Sequence, residues 1–153
     1  YIFEKSREVI IGVTATQFNF LPDNPFTAGE RIEMIRKALG KDYLKCYIIP
    51  INNVPDNFLW LSTIESISPY FEAVFTNNLL VEILAKKRGY IVEKIPFKNR
   101  NIWSGTKIRL KIASGKKWQH LVPSSVAKYI MEIKGDERIR KIFETKRIPL
   151  PYK

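Results

Sequence analysis

The feature that most constrains this chain is an alternation. Short β-branched runs with little polar interruption, at Val9-Ile10-Ile11-Gly12-Val13 and at residues 47–51, 73–76 and 90–95, each precede a segment with helical punctuation. Runs of this kind suit parallel strands covered on both faces, because a strand with one wet face would alternate apolar and polar residues. The helices declare themselves at their ends. Thr27-Ala28-Gly29-Glu30 has capping-box spacing, Ile32, Ile35 and Leu39 mark one apolar face behind it, and Gly40 supplies the stop. Residues 58–67 run into Ser68-Pro69, residues 79–88 stop at Gly89, and Ser104 stands where an N-cap for 105–113 belongs. Beyond Gly115 the pattern is helical only, with 124–134 and 136–146 joined at Gly135. Strand and helix in strict succession predict an α/β fold, a Rossmann-like doubly wound parallel sheet with right-handed crossovers and a helical C-terminal part.

The 153 residues, without repeat or linker, suit a single domain. A chain of that size buries roughly 70% of its unfolded surface and so can build its own core. At 45% apolar and 27% charged residues the composition is globular and not disordered. No apolar run approaches the roughly 20 residues of a membrane helix, and no signal-peptide pattern opens the chain. The lone Cys46 excludes an intramolecular disulfide and a multi-cysteine zinc site, which fits a reducing cytoplasm. Its place in or beside a strand marks it as a small buried hydrophobe. A net charge of +11 points to anionic partners of some kind. Residue 1 is Tyr and not Met, and residues 1–8 read as the last turns of a helix, so the expectation is a numbering that starts inside a longer chain.

In a doubly wound fold, ligands sit beyond the C-terminal ends of the strands. The segments to inspect are therefore Thr14 onward, 52–60, 76–78 and 97–109. Ser104-Gly105-Thr106-Lys107-Ile108-Arg109 is the sharpest of them. Two hydroxyls, a glycine that admits close approach and the free amides of a first helical turn make a phosphate site. Arg109, three residues after Thr106, lies on the same face, where its fork can clamp an anion. An ordinary Ser-capped helix is the competing reading, and spacing does not separate the two. Arg31 sits in a first helical turn, against the dipole, which implies an anionic ligand or, more simply, a salt bridge to Glu30 or Glu33. Asn53, Asn57 and Trp60 surround a loop–helix junction. The amides suit a carboxamide or base edge and Trp60 suits an aromatic ring, while a core stripe of Leu59, Trp60 and Ile64 is the plainer alternative. His120 has no partner carboxylate in view and reads as structural or surface. A basic loop through Lys98 and Arg100 leads to Ser104, and the clusters Lys86-Lys87-Arg88, Lys116-Lys117 and 138–141 read mostly as helix ends and solvated faces, with a nucleic-acid groove disfavoured.

In order along the chain, Val9–Thr14, Asn24-Pro25-Phe26-Thr27-Ala28-Gly29-Glu30-Arg31-Ile32, residues 50–60, Ser104-Gly105-Thr106-Lys107-Ile108-Arg109, Leu121-Val122-Pro123 and residues 135–140 resemble the archaeal-type nicotinamide-nucleotide adenylyltransferases of the nucleotidyltransferase superfamily. The block from Asn24 to Arg31 is specific to that group, whereas Ser-Gly-Thr-x-x-Arg is shared more widely. The resemblance implies adenylyl transfer from ATP to nicotinamide mononucleotide (NMN), giving NAD and pyrophosphate, with Mg²⁺ or a similar divalent metal. It implies ATP-phosphate contacts from Ser104, Gly105, Thr106 and Arg109, with Arg31 near the reacting phosphates. Gly12, Thr14 and Asn78 then line the nucleotide cleft. Trp60 packs on the nicotinamide ring, with Asn53, Asn57 and the Val54 backbone beside it. It also implies a cytoplasmic homo-oligomer, hexamers being common in the group, with no membrane partner.

The chain departs from the family pattern at two places. Asn53 stands where relatives carry an aspartate. The family's His-x-Gly-His motif and the strand before it do not occur in these residues, and the expectation is that they lie upstream of this numbering. That strand is central in the family's sheet, so its omission should leave a hole rather than a trimmed edge. Intact mass checks this: a purified protein of 17.9 kDa sinks the expectation of upstream residues. The alternatives are a related nucleotidyltransferase with flavin mononucleotide or phosphopantetheine as acceptor, and a non-catalytic nucleotide- or RNA-binding relative.

Overall fold

The structure, a computed structural model, describes residues 1–99 and 101–146; Arg100 of the basic loop lies outside the described residues. In chain order the elements are α1 (Ile2–Lys5), β1 (Val9–Thr14), α2 (Ala28–Leu39), β2 (Cys46–Ile51), α3 (Asn57–Ile67), β3 (Ala73–Phe75), α4 (Leu79–Lys87), β4 (Ile91–Glu93), α5 (Gly105–Ala113), α6 (Ser124–Glu132) and α7 (Gly135–Thr145). They divide between two compact units. Of the described residues, unit 1 comprises 1–15 and 44–97, and unit 2 comprises 16–43, 98–99 and 101–146.

Unit 1 holds every strand of the described residues, and all pair in parallel. β1 lies beside β2 with Val9 opposite Cys46 and Thr14 opposite Ile51, and β3 lies beside β4 with Ala73 opposite Ile91. The fold is thus α/β with parallel strands, as expected, arranged in two two-stranded sheets. A cleft of about 1330 Å³ separates them. It is lined by Ile10, Gly12 and Thr14 of β1, by Ile49 and Ile51 of β2, and by all of β3.

The cleft also thins the core. Full burial in unit 1 is confined to Val13, Ile51, Leu61, Leu84 and Ala85, and the first strand is closed on both faces only at Val13. On α3 the buried residue is Leu61, whereas Leu59 of the expected apolar stripe is exposed. Polar ties hold the segments around the gap. Asn77 donates to the Ile95 carbonyl at 2.7 Å and accepts from its amide at 3.2 Å. Glu65 on α3 takes Arg88 and the Tyr90 hydroxyl, each at 2.9 Å, beneath a stacked Phe71–Tyr90 pair.

Unit 2 is helical, with α5 against α7 and α2 against α6. Its core centres on Ile112, Trp118, Ala127, Ile130, Ile139 and Phe143. The expected capping box on α2 is formed: Thr27 Oγ1 accepts from the Glu30 amide at 3.2 Å, and the Glu30 carboxylate accepts from the Thr27 amide at 2.9 Å. Replacing Thr27 by alanine is expected to cost about 1 kcal/mol in urea unfolding, and no loss would mean the cap is idle. The α6–α7 joint differs from expectation. Lys134, not Gly135, takes the left-handed conformation, at φ 52°, while Gly135 opens α7. The glycine is there for space: a Cβ on it would lie 2.6 Å from Phe26 Cε1 and 3.2 Å from the Ile130 carbonyl oxygen. No helix of the described residues is long and apolar enough to cross a membrane.

Candidate active site

At the N-terminal turn of α5 the Ser cap is formed, and the groups named for a phosphate site stand beside it. Ser104 caps the helix, its hydroxyl oxygen accepting from the Lys107 amide at 3.3 Å. A capping hydroxyl keeps its proton to donate, so the cap and an anion contact are compatible. Lys107 turns away to the Asn101 carbonyl at 2.8 Å. Arg109 instead folds back over the first turn. Its Nη2 donates to Thr106 Oγ1 at 3.3 Å and to Asp23 Oδ1 at 3.4 Å, while Nη1 covers Gly105 so closely that a Cβ there would lie 3.1 Å away. Guanidinium, hydroxyl and helix amides therefore converge above one helix end. Asp23 is exposed, so its long contact with Arg109 contributes little and gives way to a better anion.

Arg31 follows the capping box on α2. It is half-buried, and burial alone depresses its affinity for the proton. The two carboxylates weighed as its salt-bridge partners, Glu30 and Glu33, each hold other cations. Glu33 pairs with Arg36 at 2.6 Å and Lys37 at 3.3 Å, which hold its carboxyl at about 2. Glu30 takes a bidentate fork from Arg138, at 2.7 and 2.8 Å, whose hydrogen bonds hold the Glu30 carboxyl below its usual 4.5. Arg138 was expected on a solvated basic face. It is instead half-buried, 5.1 Å from the ring centre of Phe20 and 5.8 Å from that of Phe26. Phe20 itself has φ 53°, a conformation that costs a bulky L-residue on the order of 1–3 kcal/mol unless neighbours hold it.

Because the Glu30 carboxyl titrates lower in the folded chain, the pair stabilises fully above the usual carboxylate value and loses that stability as pH falls through the depressed one. Wild type is accordingly expected to exceed Glu30→Gln in stability near neutrality, with the difference shrinking on acidification. A difference independent of pH would refute the pairing.

All the unit 1 candidates border one cavity. Gly12, Thr14, Asn53, Val54, Asn57, Trp60 and Asn78 each line the cleft beside β1 and β3. Gly12 has a packing reason as well, since a Cβ there would meet Ile51 Cδ1 at 2.7 Å. Asn78 caps α4, accepting from the Leu80 and Val81 amides at 2.9 and 3.3 Å. Trp60 is half-buried, so its indole neither closes a core nor stands in open solvent. At about 1330 Å³ the cleft exceeds the roughly 300–1,000 Å³ of an ordinary small-molecule pocket.

No family model matches the chain. A nicotinamide-nucleotide adenylyltransferase of Methanococcus vannielii is 46% identical over 143 residues, covering 94% of this chain and 83% of that protein. The Pyrococcus furiosus protein of the same name is 43% identical over 146 residues, covering 93% of this chain and 78% of its own length. That of Thermoplasma volcanium is 41% identical over 145 residues, with 94% and 82% covered. The chain belongs to the nicotinamide-nucleotide adenylyltransferases. Its fold is also like that of a bifunctional NMN adenylyltransferase/ADP ribose pyrophosphatase from Francisella tularensis, with a TM-score of 0.67 at 16% identity. That alignment covers 96% of this chain and 49% of the other, so this chain spans about half the length of that protein.

In this adenylyltransferase the remaining candidates are peripheral. His120 is exposed on the Gln119–Leu121 turn, and Cys46 begins β2 half-buried and not, as expected, fully buried. Among the described residues no group of three or more His, Cys, Asp or Glu is gathered to hold a metal ion. Two features escaped sequence reasoning, the Arg138–Glu30 fork and the contact of Asp23 with Arg109. Their partners are 108 and 86 positions apart, beyond any local spacing rule.

Proposed function

We propose that this adenylyltransferase joins ATP and NMN into NAD and pyrophosphate with the residues described above. The observation that carries the assignment is the Arg109 fork folded over the Ser104–Thr106 turn, in a chain of this family. An oxygen of the NMN phosphate attacks the α-phosphorus of ATP in line. The new phosphoanhydride bond forms as the bond to the bridging oxygen breaks, and that oxygen's electron pair leaves with pyrophosphate. No covalent enzyme intermediate forms, so catalysis consists of positioning and charge stabilisation.

Amides and hydroxyls of Ser104, Gly105 and Thr106 hold the triphosphate, and Arg109 and Arg31 offset its developing charge. Gly12, Thr14 and Asn78 line the nucleotide path along the unit 1 cleft. Asn53, Val54 and Asn57 address the carboxamide, and Trp60 stacks on the nicotinamide ring. Among the described residues no group of three or more His, Cys, Asp or Glu is gathered for a cation, and a divalent metal is taken as a companion of the ATP substrate. We place the protein in the cytoplasm as a homo-oligomer, with all these residues in one nucleotidyltransferase domain.

The test is pyrophosphate release from ATP and Mg²⁺ with NMN, flavin mononucleotide or phosphopantetheine as acceptor. NMN should support turnover; release with flavin mononucleotide alone would overturn the assignment. Trp60→Ala should raise the KM for NMN about tenfold, the loss of one stacked ring, with the KM for ATP unchanged. Equal effects on both substrates would remove Trp60 from the acceptor site.

A further inference from the structure

Arg138 lies on α7, outside every segment assigned to substrate, yet it touches the segment between Phe20 and Glu30 at four places. Its Nη1 and Nη2 fork onto the Glu30 carboxylate at 2.7 and 2.8 Å, and Nη1 also reaches the Pro25 carbonyl at 3.4 Å. Its guanidinium carbon lies over the Phe20 ring at 5.1 Å and the Phe26 ring at 5.8 Å. One turn earlier, Gly135 leaves room for the Phe26 ring where a Cβ would lie 2.6 Å from it. Only arginine meets this set of contacts, because a planar fork can bind a carboxylate along its edge while presenting its faces to rings. A half-buried ion pair adds little net stability after desolvation, and its best-attested use is to fix one arrangement among several. The left-handed Phe20 fits that use, since the backbone takes this conformation only where surrounding contacts impose it.

What the clamp fixes is next to the phosphate chemistry. Arg31 directly follows Glu30. We infer that Arg138 is a positioning residue for adenylyl transfer: it locks the Phe20–Glu30 segment and so sets where Arg31 stands. The inference rests on the phosphate role proposed above for Arg31. It places Arg138 in contact with neither substrate.

Kinetics and stability of Arg138→Met, Arg138→Lys and Glu30→Gln in the full-length protein separate this from a merely structural pair. All are measured well below each variant's melting temperature. Arg138→Met should lower kcat/KM for ATP about tenfold or more, as a slight misplacement of charged groups does, with the KM for NMN unchanged. Arg138→Lys should recover part of that loss, the charge being kept and the fork lost. Folded variants with a lowered melting temperature and wild-type kcat/KM for ATP would overturn the inference. If Arg138→Met does not fold, the same comparison is made on Arg138→Lys and Glu30→Gln, with the same two outcomes. Should wild type itself turn over no NMN, the proposed function fails. Equilibrium dialysis of ATP then reads the positioning role alone: weaker ATP binding in the variants supports it, and unchanged binding refutes it.

Discussion

Arg109→Ala is expected to lower kcat/KM for ATP by about 10²–10³-fold, the scale set by removing one preorganised group from developing negative charge. The expectation follows from what the side chain does without ligand. Its fork already lies across the first turn of α5, bonded to Thr106 at 3.3 Å, so little reorganisation precedes contact with a phosphate. Arg109→Lys keeps a charge but replaces a planar, two-pronged donor with a strongly hydrated point charge, and should fall between wild type and alanine. Folding should be nearly unaffected, because the ion pair lost is a long contact to an exposed Asp23. Melting temperature and steady-state kinetics on the same preparations check both halves. Wild-type kcat/KM in a folded Arg109→Ala protein would remove Arg109 from the phosphate site, and with it the main support for the proposed residue roles.

Asp23 gives a smaller companion effect on the same group. Its carboxylate holds Arg109 at 3.4 Å, in the direction from which an anion would compete. Asp23→Asn should therefore leave kcat near wild type while lowering the KM for ATP about two- to threefold, the worth of an exposed ion pair. A raised KM would mean that Asp23 helps to orient the fork.

The parts of the fold legible in the sequence are those decided within one turn of the chain. Thr27 and Glu30 are three residues apart and meet as a capping box whatever the tertiary setting, and Ser104 finds the Lys107 amide for the same reason. Parallel strands were legible because Val9–Thr14 and Cys46–Ile51 lack polar alternation, which only covered sheets tolerate. Strand adjacency is another matter. Nothing in residues 73–75 says whether β3 lies against β1 or apart from it, because pairing partners are chosen across long sequence separations. The cleft between the two pairs is a tertiary fact.

The candidate site divides in the same way. The unit 1 candidates were chosen from segments after strand ends, and every one of them borders the cleft. The other cations on the two carboxylates near Arg31 were harder to see, because Arg138 reaches Glu30 from a distant helix, while Glu33 is shared by Arg36 and Lys37. The joint at Lys134 shows how residue type can mislead. Gly135 was read as the joint between two helices, but it opens α7, where its small size serves a close approach of Phe26, and the lysine before it takes the unusual φ.

The largest stability effect is expected at Ile139. Its side chain is fully buried on α7, in the cluster with Ile112 of α5 and Phe143, where α5 and α7 pack together. Ile139→Ala removes buried methyl and methylene groups and leaves a cavity that close-packed neighbours refill only in part, a cost of about 2–5 kcal/mol. Against a total domain stability of roughly 5–15 kcal/mol, that is a large share. The consequence reaches the chemistry, because α5 presents Ser104, Thr106 and Arg109 at its N-terminus while Ile112 anchors its C-terminal half. A loosened anchor lets the phosphate-binding end wander, so ATP efficiency should fall with temperature sooner than in wild type. Met131→Ala is the control: that side chain is 47% exposed on the neighbouring α6 and should change stability by under about 0.5 kcal/mol. Urea unfolding of the three proteins decides the matter. A loss below about 1 kcal/mol for Ile139→Ala would place the packing centre of unit 2 elsewhere.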